Sequence, residues 1–238
     1  MCSREDESAD GQNHDEQTCT VMVARAAIVA VVLMLSCSGA ARAQTDRTSS
    51  AVEVWASGCA SVPSHGSGVA LGDDLVATAA HVVAGAASVS IGDGHGHSFP
   101  AEIAGIDAQR DAAVLRVPGL DRPRLRLRSM RNGERGSFFA FGGPQPMLSA
   151  FTVVRAVGIS SEDIYREGEH VRPGYQLEAT VVAGDSGAGL LAEDGALGGL
   201  VWATSRSADN QAWAIGVAVI SDLLPSITAR PAAPIPCV

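Results

Sequence analysis

Gly184-Asp185-Ser186-Gly187 is preceded in this chain by Thr78-Ala79-Ala80-His81 and by Gln109-Arg110-Asp111-Ala112-Ala113-Val114-Leu115. A serine hydroxyl is a weak nucleophile at neutral pH. It needs a base within hydrogen-bond reach, and that base needs a partner that fixes its tautomer. A hydroxyl at 186, an imidazole at 81 and a carboxylate at 111 supply these three parts, each beside a short apolar run. Each has a plainer reading on its own: a packed core histidine, a surface turn at Arg110-Asp111, an ordinary loop around Ser186. The order, the spacing and the apolar segment on the proper side of each favour one shared site. A nucleophile elbow of the α/β-hydrolase kind does not fit. It needs glycine where Ala188 stands, it places the histidine last, and it needs helices whose periodicity is missing here.

Working outward, the chain is 46% hydrophobic with 26 glycines. From about Val52 it breaks into short β-branched or apolar segments separated by Gly, Pro and Asp. These are 68–71, 75–79, 87–91, 112–117, 136–141, 152–159, 175–180, 187–191, 197–203 and 213–217. Such spacing predicts an all-β barrel or sandwich. The Pro- and Arg-rich stretch 118–131 reads as a linker. It leaves 51–117 as a first β unit and 132–230 as a second, with 44–50 disordered and 231–238 a tail. His81 and Asp111 fall in the first unit and Ser186 in the second. One short helix is expected near the end, with Ser221 as N-cap before Asp222-Leu223-Leu224 and Pro225 limiting it. No internal repeat is visible.

The three stretches and their order resemble the chymotrypsin/trypsin-like serine proteases. The settings of His81 and Asp111 are most similar to the bacterial HtrA-like branch, over roughly residues 60–220. The resemblance implies two six-stranded antiparallel barrels with the site in the cleft between them, and no cofactor. It implies Ser186 as nucleophile, His81 as general base then acid, and Asp111 as orienter of the imidazole. Gly184, Asp185 and Ser186 would form the oxyanion hole, with the Gly184 and Ser186 N–H groups pointing into it. The substrates would be polypeptides, cut through an acyl-enzyme. No segment after the second unit suggests the PDZ domain that many HtrA-like enzymes carry. The chain departs from the pattern in places. Ala188-Gly189 replaces Gly-Pro. Trp202 stands where trypsin-like enzymes place a serine that supports the aspartate. The expected mature start does not look like the Ile-Val-Gly-Gly terminus that zymogen activation releases, so Asp185 needs another partner, such as an arginine, or activation is regulated otherwise. Thr180, Val181 and Thr204 are the expected pocket residues. Thr180 stands where a carboxylate would select basic side chains, so small or medium apolar residues are expected before the scissile bond. The alternative from another class is a fold-mate that binds peptides without cutting them.

The remaining features bound the setting. A formal charge of −9, with all 17 basic residues arginine, argues against nucleic acid. Residues 1–43 read as a leader. An apolar run begins at Ala26, after Arg25, and Ala41-Arg42-Ala43 is a small-x-small cleavage pattern, so 22–43 has the form of a secretory signal, too short to span a membrane. The acidic stretch 1–21 is odd ahead of such a signal, and Met22 is the expected start. A lipoprotein signal ending at Cys37 is the alternative. Export to the periplasm or beyond follows, with no membrane span after cleavage. Cleavage leaves Cys59 and Cys237, which an oxidising compartment permits to pair as a disulfide. His95-Gly96-His97 lacks a third nearby ligand and reads as a solvated hairpin turn, so no metal is expected. Arg122, Arg124, Arg126 and Arg128 alternate with apolar residues as the solvated edge of an extended linker. An anionic partner is the alternative there.

Overall fold

In the computed structural model the described residues are 48–58, 62–205 and 207–227. Twelve strands form two closed antiparallel barrels. The first contains β1 (Ala51–Gly58), β2 (Ser64–Gly72), β3 (Leu75–Ala79), β4 (Ala86–Gly92), β5 (Ser98–Asp107) and β6 (Ala112–Arg116), in the spatial order β1-β2-β3-β6-β5-β4. The second contains β7 (Arg135–Ala140), β8 (Met147–Glu162), β9 (Glu169–Glu178), β10 (Gly189–Ala192), β11 (Leu197–Thr204) and β12 (Gln211–Gly216), in the order β10-β11-β12-β9-β8-β7. A one-turn helix α1 (Ala80–Val83) follows β3, and α2 (Val217–Leu223) follows β12.

Period-two patterning explains the barrels. On β1, Val52, Val54 and Ala56 point inward and join Val76, Ile91 and Leu115 in the first core. Phe138, Phe151, Leu177 and Leu190 do the same in the second. A third apolar layer joins the barrels. Val69, Ala77 and Val114 from the first meet Leu191, Leu197, Leu200 and Ile215 from the second, closed by Val219, Ile220 and Leu223 of α2. Each large aliphatic side chain buried there is worth about 1.5–3 kcal/mol. Gly189 lies in this seam, where a Cβ would press on Val69 at 2.7 Å. That close approach accounts for glycine at this departure from the family pattern.

All ten expected segments lie on observed strands, and β1 and β5 complete the set. Pro100 and Gly105 interrupt β5 and hide the alternation of Phe99, Ala101 and Ile103, which pack on the first core. The helix starts a turn earlier than expected. Gly216, not Ser221, caps it, and the Ser221 hydroxyl donates back to the Val217 carbonyl at 3.2 Å. Four apolar residues on one face, Val217, Val219, Ile220 and Leu223, decide where it begins. Residue 50, expected to be disordered, is buried, and its carbonyl accepts the Ala70 N–H at 2.7 Å.

The 118–131 segment straps both barrels. Leu125 N–H donates to Leu71 O and Arg128 N–H to Leu197 O, while Leu125 and Leu127 pack on the interbarrel layer. Arg124, Arg126 and Arg128 reach solvent, whereas Arg122 buries its Nε and turns Nη2 toward the Asp93 carbonyl at 3.4 Å. Arg126 and Arg128 pair with Asp194, and Arg128 also pairs with Glu134. The exposed pair of Arg126 with Asp194 is worth about 0–1 kcal/mol and is screened by salt. No described helix is long and apolar enough to cross a membrane. Cys59 and Cys237 lie outside the described residues, as does the whole 1–43 leader.

Candidate active site

β3 and β6 are hydrogen-bonded neighbours with Ala79 opposite Ala112, so the residues that follow one and precede the other must meet. His81 is the second residue of α1, just after β3, and Asp111 immediately precedes β6. The Asp111 carboxylate receives His81 twice. Oδ1 accepts the backbone N–H at 2.8 Å, and Oδ2 lies 2.8 Å from Nδ1. The Asp111 side chain is 5% exposed and that of His81 39%. The ring is therefore held through Nδ1 while more than a third of the His81 side chain stays exposed. Asp111 has a left-handed backbone, φ 58°, which aspartate tolerates better than most residues. Its loop is tied down by Arg110, which bonds Asp107 at 2.6 Å and Asp222 of α2 at 2.7 Å. Those two carboxylates, Asp222 first, raise the Arg110 guanidinium above its ordinary range, against the opposing effect of burial.

Ser186 arrives from the second barrel on a tight loop before β10. Gly184 and Gly187 both have positive φ, 92° and 88°. A Cβ on Gly184 would collide with Gly142 Cα, and one on Gly187 with the Ser67 carbonyl and Thr78 Oγ1. The loop is stapled across the cleft by Ser67 of β2. Ser67 N–H donates to Ser186 O at 2.9 Å, and its hydroxyl donates to Gly184 O at 2.8 Å while accepting the Phe141 N–H at 3.0 Å. Gly187 N–H donates to Val201 O at 2.8 Å on β11. The Asp185 N–H turns back to Val182 O at 3.1 Å. Among the described residues no backbone acceptor takes the N–H of Gly184 or Ser186 in this loop.

One residue touches both ends of the constellation. Trp202 on β11 donates its indole N–H to Asp111 Oδ2 at 2.8 Å, and its carbonyl accepts the Ser186 hydroxyl at 3.5 Å. Sequence alignment alone puts Trp202 beside the aspartate. That the indole itself supplies a hydrogen bond there needs the structure. Ser67 and Gly142 carry no chemical signature in sequence, because their roles arise only where the barrels meet.

Asp185 is buried, and among the described residues no arginine pairs with it. Its carboxylate accepts Val182 N–H at 2.9 Å and the Gly142 N–H instead. Burial pushes this carboxyl above the usual aspartate range, and the two backbone hydrogen bonds pull it part of the way back. A carboxyl that holds its proton more tightly folded than unfolded opposes the fold at neutral pH. That opposition fades as the pH falls through the raised value. Asp185→Asn turns one acceptor into a donor facing an N–H, so a loss of about 1–3 kcal/mol is expected. Urea unfolding should show this deficit at pH 7 and show it widening toward acid, because only the wild type gains from protonation.

The three expected pocket residues are dispersed. Thr180 borders a hollow of about 700 Å³ with Arg135, Glu178 and Asn210, and its hydroxyl donates to Asn210 Oδ1 at 3.0 Å. Thr204 borders another, of about 460 Å³, with Trp202, Ile159 and Trp213. Val181 packs into the second core. At the 93–97 turn, Asp93 accepts the N–H groups of His95 and His97 and lies 2.8 Å from His97 Nδ1. Burial, the largest single influence, pushes this carboxyl up, but the hydrogen bonds together hold it at about 2. No three His, Cys, Asp or Glu side chains gather in a metal-binding group among the described residues.

A family model described as a trypsin-like peptidase domain matches residues 66–200. Serine protease Rv3671c of Mycobacterium tuberculosis is 33% identical over 141 residues, covering 58% of this chain and 35% of that protein. The putative serine protease HhoB of Synechocystis is 31% identical over 156 residues, covering 64% and 37%. The chain thus spans little more than a third of the length of these relatives. The crystal structure of the Rv3671c protease in its active form is similar at a TM-score of 0.77 and 25% identity, covering 82% of this chain and 88% of that one. A serine endoprotease from Yersinia pestis shares the fold at a TM-score of 0.64 and 18% identity, covering 78% and 65%. The matched segment runs from β2 into β11 and holds His81, Asp111 and Ser186, and on that ground the chain belongs to the trypsin-like peptidase domain family.

Proposed function

We propose that this protein is a serine endopeptidase that hydrolyses polypeptides through an acyl-enzyme. The observation that carries the reading is the doubly bonded His81–Asp111 pair, joined through Trp202 to Ser186. With Nδ1 held by Asp111, His81 offers Nε2 as the base. It takes the Ser186 proton as Oγ attacks the scissile carbonyl, then returns that proton to the leaving amine. Water repeats the sequence to release the acid. The Gly184 and Ser186 N–H groups would receive the oxyanion, and losing one such donor costs about 3 kcal/mol of transition-state stabilisation. A fluorophosphonate probe is expected to label the 44–238 protein at Ser186 and to leave Ser186→Ala unlabelled. Labelling that persists in Ser186→Ala would move the nucleophile elsewhere. Absence of labelling in a folded wild type would favour the peptide-binding alternative.

The proposed preference for small or medium apolar side chains rests on the sequence position of Thr180, where a carboxylate would select basic ones. Its hydroxyl is engaged with Asn210, and it offers no carboxylate for a basic side chain. Cleavage of a peptide library after small or medium apolar residues is expected, and a dominant preference for Arg or Lys would refute it. Export is part of the same proposal and rests on the 22–43 segment. Cell fractionation should recover a product beginning near Gln44 outside the cytoplasm.

A further inference from the structure

Arg172 on β9 is 1% exposed, a costly place for a guanidinium. It faces Ile159 across the β8–β9 ladder. Its Nη2 donates to the Glu162 carbonyl at 2.6 Å, while Nε and Nη1 are buried without a hydrogen-bond partner. Its guanidinium carbon lies 5.1 Å from the centre of the Trp202 ring. The acids that act on it are Asp111, Asp163 and Asp107. Two of these are engaged elsewhere. Asp107 holds Arg110, and Asp163 is approached by His170 at 3.8 Å and takes the Tyr165 and Glu167 N–H groups. Asp111 is ion-paired with the His81 ring alone among the described residues. The hairpin that bears Arg172 also braces the Asp111 loop directly. Ile164, at its tip, donates its N–H to the Ala108 carbonyl at 3.2 Å and packs on the first core.

We propose that Trp202 and Arg172 are positioning residues for the Asp111–His81 pair: the indole N–H holds Asp111 Oδ2, and Arg172, seated on the indole, fixes that ring and supplies a buried positive charge to the carboxylate. The proposal deepens the peptidase reading and rests on it. An aspartate that orients an imidazole must stay ionised and must not rotate. In this chain a donor and a counter-charge from the second barrel serve both needs. Removing the indole N–H leaves Oδ2 with His81 as its one side-chain donor, and removing Arg172 takes away a positive charge. Either change makes the carboxylate a stronger partner for the imidazolium.

The test uses the 44–238 protein and the variants Trp202→Phe, Arg172→Met and Arg172→Lys, with active sites counted by fluorophosphonate titration. Per counted site, Trp202→Phe should lower kcat about 10- to 100-fold with KM little changed. Trp202→Phe and Arg172→Met should both move the acid limb of the rate profile to higher pH, while Arg172→Lys, which keeps the charge, should leave the limb in place. NMR titration of the His81 ring reads the same shift without any turnover, so it tests the positioning roles even if the wild type proves inactive. A wild-type kcat and an unmoved His81 titration in Trp202→Phe and Arg172→Met would overturn the proposal. So would Arg172 variants that lose only the fraction of labelled sites. A wild type that neither cuts nor labels, with the NMR shifts as expected, would overturn the peptidase reading and leave the positioning roles standing.

Discussion

Ser186→Ala is expected to lower kcat toward peptides by about 10⁶-fold, with folding and KM unchanged. His81→Ala should cost a comparable factor, and the double variant should be no worse than either single one. The reason is that hydroxyl and imidazole act as one unit. Without the base, Oγ keeps its proton, and without Oγ there is nothing for the base to activate. Independent contributions would multiply, whereas parts of one device fail together. Steady-state kinetics on the three variants checks this, with circular dichroism to confirm the fold. Residual hydrolysis above the uncatalysed rate should survive in all three, since the Gly184 and Ser186 N–H groups are untouched. A double variant far weaker than either single variant would show that the two residues act separately.

Gly187→Ala should produce the largest loss of stability from a single methyl group. Residue 187 has φ 88°, and a Cβ there would run into Ser67 O, Thr78 Oγ1 and Ala79 N, which are backbone or buried atoms of the first barrel. A left-handed alanine costs about 1–2 kcal/mol, and overpacking a closed seam about 1–3 kcal/mol more. For a protein of this size that total lowers Tm by about 5–15 °C. Gly195→Ala is the matched control. Its φ is 77° and nothing lies within 4 Å of the added carbon, so only the backbone penalty of about 1–2 kcal/mol applies. Thermal unfolding of the pair separates the two costs. Equal losses would mean that the barrels part easily at Gly187. Labelling of Ser186 should also fall in Gly187→Ala, because the methyl group drives the loop away from Ser67.

The fold and the candidate constellation were readable because they depend on local pattern. Val76, Val114 and Leu190 sit in short apolar runs bounded by turn residues, and His81, Asp111 and Ser186 carry chemistry that their neighbours make recognisable. Where local signals conflict, the reading weakens. Pro100 and Gly105 speak for a loop although Phe99, Ala101 and Ile103 alternate correctly. Ser221 looks like a cap although the apolar face of α2 reaches back to Val217. Most of the supporting layer was not readable, although the position of Trp202 beside the aspartate was. Ser67 becomes a staple only when β2 meets the 184–187 loop, Asp185 finds backbone N–H groups where an arginine was expected, and Arg172 gains its meaning from an indole on a different strand. Val181 shows the same limit from the other side, since its neighbour Thr180 borders a hollow while Val181 itself fills the core.

The grip of Asp222 on Arg110 reaches from the last described helix back to the loop that carries Asp111. During synthesis the imidazole and its carboxylate leave the ribosome long before the hydroxyl, and the clamp on their loop comes later still. A nascent chain therefore lacks a finished site until nearly all of the described sequence has emerged.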